Sequence, residues 1–235
     1  MSTHDIAAIG LQMDLERLKL TSQNVANLST PAYKRQVAVQ GAFSALLPAS
    51  AQLQSHTDLR AGKLQSTGQP LDLALPEATF LLVERDDGLQ ALTRQGSLQL
   101  DAEGVLRTAL GHRVLGARGR LSLHGSDAAP LSIDAQGQLM QGTEAVEQLQ
   151  FVQLKAGATL QALGDGLYGF VPEETEQVPL SAPVRTGHRE LSNVVPSQEM
   201  VQLMSTTRHA EAMVRLMQAA DDMQATAIRR FGETS

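Results

Sequence analysis

Few residues in this 235-residue chain have types and spacings that do chemistry. Gly164-Asp165-Gly166-Leu167-Tyr168-Gly169 spells the glycine pattern of a dinucleotide-binding turn, and an acid, Glu190, lies about 20 residues on, where such folds hold a ribose. That chemistry needs the glycines to open a helix whose N-terminus holds pyrophosphate. Here Val171-Pro172 follows at once, with prolines at 179 and 183, so the segment reads as a glycine-rich turn and no cofactor is expected. The six histidines, at 4, 56, 112, 124, 188 and 209, include no pair at metal-ligand spacing. With no cysteine there is no thiolate ligand, disulfide or thiol nucleophile. Acidic pairs such as Asp86-Asp87, Glu173-Glu174 and Asp221-Asp222 are sequence neighbours, which point to opposite faces of a strand and do not converge on one substrate. No nucleophile elbow, phosphate loop or paired-histidine zinc motif occurs. The expectation is a protein that is not an enzyme.

What remains is a pattern of amides. The chain has three asparagines, Asn24, Asn27 and Asn193. Asparagine side chains bond nearby backbone and cap helices. All three stand at the inner edges of two segments with helical spacing. They read as helix caps or as amides that fix the junctions between those segments and the middle of the chain.

Those segments are the ends. Near the start, Ile6, Ile9, Met13, Leu20 and Asn24 fall along one helical stripe, flanked by Leu11, Leu15 and Leu18. Thr30-Pro31 stops it, which predicts a helix over roughly 5–27. Near the end, Pro196 suits a first helical turn. Met200, Leu203, Met204, Met213, Leu216, Met217, Ala220, Met223 and Ala227 then repeat at threes and fours with no internal glycine or proline. Over about 30 residues such a helix runs about 50 Å. Its stripe calls for a partner helix, which reads as a coiled-coil pairing. The alternative is one long helix packed on the middle domain.

The middle, 48–189, holds 16 of the 19 glycines and seven of the nine prolines. Two apolar runs flank Asp86-Asp87-Gly88, a hairpin signal in which Asp and Gly both tolerate positive φ. Residues 98–106 and 131–139 echo one another as strand, four-residue turn with a closing Gly, and strand. The fold class expected is α+β: a mostly antiparallel β domain over 48–189, with 1–47 and 190–235 together forming a coiled-coil-like helical domain.

Composition narrows the partners. A net charge of −6 and seven aromatics, none of them Trp, argue against nucleic acid. No apolar run approaches the roughly 20 residues of a membrane helix, so no membrane insertion is expected. Met1-Ser2-Thr3-His4-Asp5 has no basic stretch leading into an apolar one, which predicts no cleavable signal peptide.

Several spaced motifs carry a family resemblance. Asn24-Val25-Ala26-Asn27-Leu28-Ser29-Thr30-Pro31-Ala32-Tyr33-Lys34-Arg35 resembles the N-terminal signature of flagellar rod and hook proteins. Glu190-Leu191-Ser192-Asn193-Val194, followed by Glu199-Met200-Val201, resembles their C-terminal one. Between them Pro70-Leu71-Asp72-Leu73-Ala74, Leu92-Thr93-Arg94-Gln95-Gly96-Ser97, Asp101-Ala102-Glu103-Gly104 and Val114-Leu115-Gly116 fall in the family's order. The family's glycine after Thr-Pro is Ala32 here, which predicts a type I turn because alanine disfavours positive φ. Its leucine before the glutamate is Arg189, and its Gly-Phe-Phe is Ala78-Thr79-Phe80. Modest length and one β domain fit a rod protein of proximal-rod or distal-rod type, with a lean to the proximal, rather than a hook or hook-capping protein.

The resemblance implies a structural axial component of the bacterial flagellar basal body. Such a protein leaves the cytoplasm through the flagellar type III export apparatus without a cleavable signal. In the periplasmic rod it polymerises helically with copies of itself and other rod proteins, and transmits torque for motility. By this resemblance the assembly contacts are Asn24, Asn27, Thr30, Pro31, Tyr33 and Lys34 at one junction and Glu190, Ser192 and Asn193 at the other, with the stripe from Met200 to Met223 packing helices. The competing expectation is a soluble adaptor or regulatory protein with a coiled-coil dimerisation element and a β domain.

Overall fold

The computed structural model describes residues 3–39, 54–121, 123, 130–155, 157–158, 160–177 and 182–232. The domain boundary expected at residue 47, His124 and Pro179 lie outside them. The chain is α+β and divides into two compact units. One comprises 1–26, 36–56 and 195–235; the other comprises 27–35 and 57–194. The second unit therefore takes 27–35 and 190–194, which the sequence grouping had put with the helices.

The helical unit contains α1, Thr3–Ala26, and α2, Pro196–Gly232, with strands Gln36–Val39 and Gln54–Thr57 paired beside them. Pro196 opens α2 as expected, and at 37 residues α2 is about 55 Å long. The two helices run antiparallel. Asp14 on α1 meets His209 on α2, and ten residues further along α1 Asn24 meets Glu199, ten residues back on α2.

The seam between them departs from the expected apolar stripe. Its buried residues are Ala7, Asp14, Thr21 and Asn24 on α1 and Glu199, Thr206 and Ala220 on α2. Ile6 and Leu15 are exposed, as are Met200, Met204, Leu216 and Met223. Leu203, Met213 and Met217 are half-buried. Close approach explains the exchange: a Cβ on Gly10 would stand 3.3 Å from the sulfur of Met213, so small and hydrogen-bonded side chains occupy the contact line. The large apolar groups are displaced to its flanks.

The β unit is antiparallel throughout its described ladders. Its main sheet has ten strands and is centred on Thr79–Glu84, which pairs with Gln90–Thr93 on one side. Phe151–Leu154 and Arg113–Gly116 share the other side. Alternation sorts the side chains: Leu81, Val83, Ala91, Val114, Phe151 and Leu167 enter one cluster, and Phe80, Leu82, Leu92, Leu115, Val152 and Tyr168 enter the other. Strand 79–84 is thus covered on both faces, which is why it reads as a near-continuous apolar run.

The turns show why these strands reverse. In the two echoed segments, Asp101 and Asp134 each accept two backbone N–H bonds, from Glu103 and Val105 and from Gln136 and Gln138. Gly104 and Gly137 close each turn at positive φ. The Asp86-Asp87-Gly88 hairpin forms, but Asp87 stays out of the left-handed region and only Gly88 enters it. Gly88 N–H donates to Arg85 and Arg85 N–H to Leu89, a wider loop than the two-residue turn the dipeptide predicts. Gly164–Gly169 is a hairpin whose two-residue turn is Asp165-Gly166, both at positive φ, and not a helix opening.

Candidate functional site

The β unit gathers its charged signature residues around one buried carboxylate. Strand His188–Glu190 pairs with Leu64–Ser66, which sets Glu190 opposite Leu64. Oε1 of Glu190 accepts from Lys34 Nζ at 2.6 Å and from the N–H of Gly62 at 2.7 Å. Its Oε2 accepts from Arg94 Nε at 3.0 Å and Nη2 at 2.8 Å. Lys34 is fully buried, and Arg94 and Glu190 nearly so.

Two cations thus share one carboxylate, and backbone carbonyls disperse the surplus. Arg94 donates to the carbonyls of Leu75, Pro76 and Thr79, and its guanidinium lies 5.7 Å from the centre of the Phe80 ring. Lys34 donates to the carbonyl of Arg60 at 2.7 Å. Burial depresses the Lys34 ammonium below the usual lysine range, with Arg94 adding to the effect against the pull of Glu190. Burial pushes the Glu190 carboxyl upward, but Arg94 and Lys34 outweigh it and hold it below the usual range. Burial likewise raises the Tyr168 phenol.

Beside this cluster Asn193 works as an amide clamp. Its Oδ1 accepts from Arg35 N–H at 2.8 Å, and its Nδ2 donates to the carbonyls of Asp58 and Arg60 at 2.8 and 3.0 Å. Ser192 Oγ accepts from Val194 N–H. At the start of the same unit Thr30 Oγ1 donates to Asn27 Oδ1, and Tyr33 N–H closes a turn onto the Thr30 carbonyl with Pro31 inside it. Ala32 in that turn has φ of 58°, left-handed, which contradicts the expected type I turn. The backbone is held there because Ala32 N–H donates to the Glu190 carbonyl at 2.9 Å.

In the helical unit Asn24 does the corresponding work. Its Oδ1 accepts from Gln36 N–H and its Nδ2 donates to the Gln36 carbonyl, both at 2.9 Å, so one amide imitates a strand partner. The same Nδ2 reaches Glu199 Oε2 at 3.2 Å. Lys34, Glu190, Asn193 and Asn24 therefore all spend hydrogen-bonding groups within their own unit. Among the stripe residues, Met200, Met204, Leu216 and Met223 stand uncovered by α1. No cluster of His, Cys, Asp or Glu among the described residues could hold a metal. No described helix is long and apolar enough to cross a membrane.

Comparison with known proteins decides the family. The model for the C-terminal region of flagellar basal body rod FlgEFG proteins matches residues 185–230, and that for the D1 domain of flagellar hook protein FlgE/F/G matches 77–141. The flagellar basal-body rod protein FlgF of Escherichia coli is 30% identical over 231 residues, covering 88% of this chain and 89% of that protein. The chain belongs to the flagellar basal-body rod protein family. FlgF of Salmonella typhimurium is 29% identical, with 91% of each chain covered. FlgG of Buchnera aphidicola from Acyrthosiphon pisum is 27% identical, covering 93% of this chain and 95% of that one.

The rod-family signatures contain most of the junction. Reading them as outward contacts passed over the bonds that buried Arg94 and half-buried Gly62 make to Glu190, and those that buried Asp14 and Glu199 make to exposed His209 and to Asn24. Arg94 carried a signal: it is a cation two residues past the apolar Ala91-Leu92, just beyond Thr93 at the end of a strand whose last three residues are buried. Gly62 carried none, because its role comes from close approach; a Cβ there would lie 1.9 Å from the Leu191 carbonyl oxygen.

Proposed function

We propose that this protein is a structural component of the flagellar basal-body rod that assembles through its helical unit. The observation that carries the assembly reading is the uncovered apolar surface of α2. Met200, Val201, Met204, Leu216 and Met223 are each more than half exposed on a helix whose other side already has a partner. Large apolar side chains left in water on the parts of a helix that its partner does not cover are what a neighbouring subunit buries. Coiled-coil-like packing of α1 and α2 against neighbouring copies and other rod proteins supplies the contacts. Interfaces that are head-to-tail and do not close on themselves build a helical shaft. Such a shaft, standing in the periplasm, transmits torque for motility.

In this reading the signature residues act in two ways. Asn24, Lys34, Glu190 and Asn193 set the shape of the segments next to the helices; Asn27, Thr30, Pro31, Tyr33 and Ser192 surround them as contacts for neighbours. Leu203, Met213 and Met217 extend the packing surface from the edges of the α1–α2 seam. The lack of cysteine suits an oxidising compartment, and export runs through the flagellar type III apparatus. The test is a truncation lacking 200–235 expressed in motile cells. The expected result is a protein absent from rods, with motility lost; a truncated protein found in intact rods contradicts the reading.

A further inference from the structure

The seam between α1 and α2 has a repeat that leaves its register undetermined by shape. On α1 the buried residues Ala7, Asp14 and Thr21 are seven apart; on α2 Glu199, Thr206 and Ala220 fall in a seven-residue series that half-buried Met213 completes. Sliding one helix past the other by seven residues, about 10 Å, brings buried positions back onto buried positions. Apolar contact alone distinguishes such registers poorly. Side-chain chemistry does better. Asp14 is 1% exposed, and its Oδ2 lies 2.5 Å from His209 Nδ1, with Arg17 of its own helix 3.7 Å from Oδ1. Asn24 and Glu199, also 1% exposed, bond one another about three turns away. In one slid register Asp14 faces Leu216 and His209 faces Thr21, so a buried carboxylate loses its cross-helix donor, which is costly.

We infer that Asp14–His209 and Asn24–Glu199 are a two-point register lock that selects one antiparallel alignment of α1 on α2. Buried polar pairs that forgo some stability to fix alignment have precedent in paired helices generally. The inference is independent of the rod assignment, since it concerns one chain.

The absence of cysteine makes the test clean. Gly10 packs on Met213, so a Gly10→Cys, Met213→Cys chain reports the native register by disulfide formation. Gly10→Cys with Ala220→Cys, or with Thr206→Cys, reports the two slid registers. In the otherwise unaltered full-length chain only the 10–213 pair should cross-link. Replacing Asp14 and His209 by leucine, or separately Asn24 and Glu199 by leucine, should raise a slid reporter about tenfold while helical circular dichroism is kept or increased. If a leucine pair abolishes the helical signal, Asp14→Asn with His209→Gln carries the same reading. Exclusive 10–213 cross-linking in all these variants overturns the inference, as does failure of the unaltered helices to cross-link 10 to 213.

Discussion

Lys34 and Glu190, 156 positions apart in the chain, meet at 2.6 Å inside the β unit, each almost sealed from solvent. Arg94 takes the other oxygen of the same carboxylate. The cluster carries one more positive than negative charge, so its members are not equivalent. Glu190→Gln leaves two buried cations facing each other and should destabilise the β unit by about 3–5 kcal/mol. Lys34→Met leaves a neutral Glu190–Arg94 pair and should cost about 1–2 kcal/mol. Urea unfolding followed by far-ultraviolet circular dichroism ranks them; equal losses contradict the arrangement.

The same carboxylate predicts an acid dependence. Arg94 and Lys34 hold the folded Glu190 below its ordinary value of 4.5, against the effect of burial. A carboxyl depressed in the folded state contributes stability that is complete above its unfolded value and lost as pH falls through the folded one. Melting temperature should therefore drop below about pH 4.5, and drop less in Glu190→Gln. Lys34 gives the same sign of slope, in an alkaline window. Its folded value lies below 10.5, so the unfolded chain binds more protons in the window between and stability rises with pH there. Lys34→Met should remove that rise.

Ala78 is exposed and has φ of 55°, where an L side chain is strained by about 1–2 kcal/mol. It stands where the family's signature has glycine. Ala78→Gly should stabilise the β unit by about 0.5–1 kcal/mol, the relief exceeding glycine's entropic penalty. Ala32→Gly should gain less, because Ala32 also buries its methyl group. Thermal melts of the two variants test the order.

Gly62 donates its N–H to Glu190 and has the Leu191 carbonyl where a side chain would begin. Gly62→Ala cannot be accommodated without moving backbone next to the buried cluster. It should lower stability by more than about 2 kcal/mol, measured by urea unfolding. A near-neutral result would mean that strand 64–66 shifts freely against 188–190.

How far the sequence speaks for itself varies by feature. Pro196 and the unbroken run behind it announce α2, and the twin Asp-Ala-x-Gly turns are readable because Asp bonding and glycine φ are local effects. The α1–α2 seam is not readable that way. Apolar spacing points to Ile6, Leu15, Met200 and Met204, yet close helix approach gives the contact line to Ala7, Asp14, Thr21 and Thr206. Ala32 misled for a similar reason: its intrinsic preference is overruled by a bond to Glu190 far along the chain. Lys34, Glu190 and Asn193 were visible as signature residues. That their polar groups turn inward depends on Arg94, Gly62 and the 64–66 ladder, which no local pattern brings together.

The central claim is that this chain is built into the flagellar rod through the surface of α2 that α1 leaves bare. The most direct measurement is immunodetection of the full-length protein in purified basal bodies, beside a Met204→Glu, Leu216→Glu variant with unchanged β-unit stability. The account predicts the unaltered protein in the basal-body fraction and the variant missing from it, with motility lost. Unaltered protein found wholly outside basal bodies, or the variant incorporated as well as the original, would contradict it.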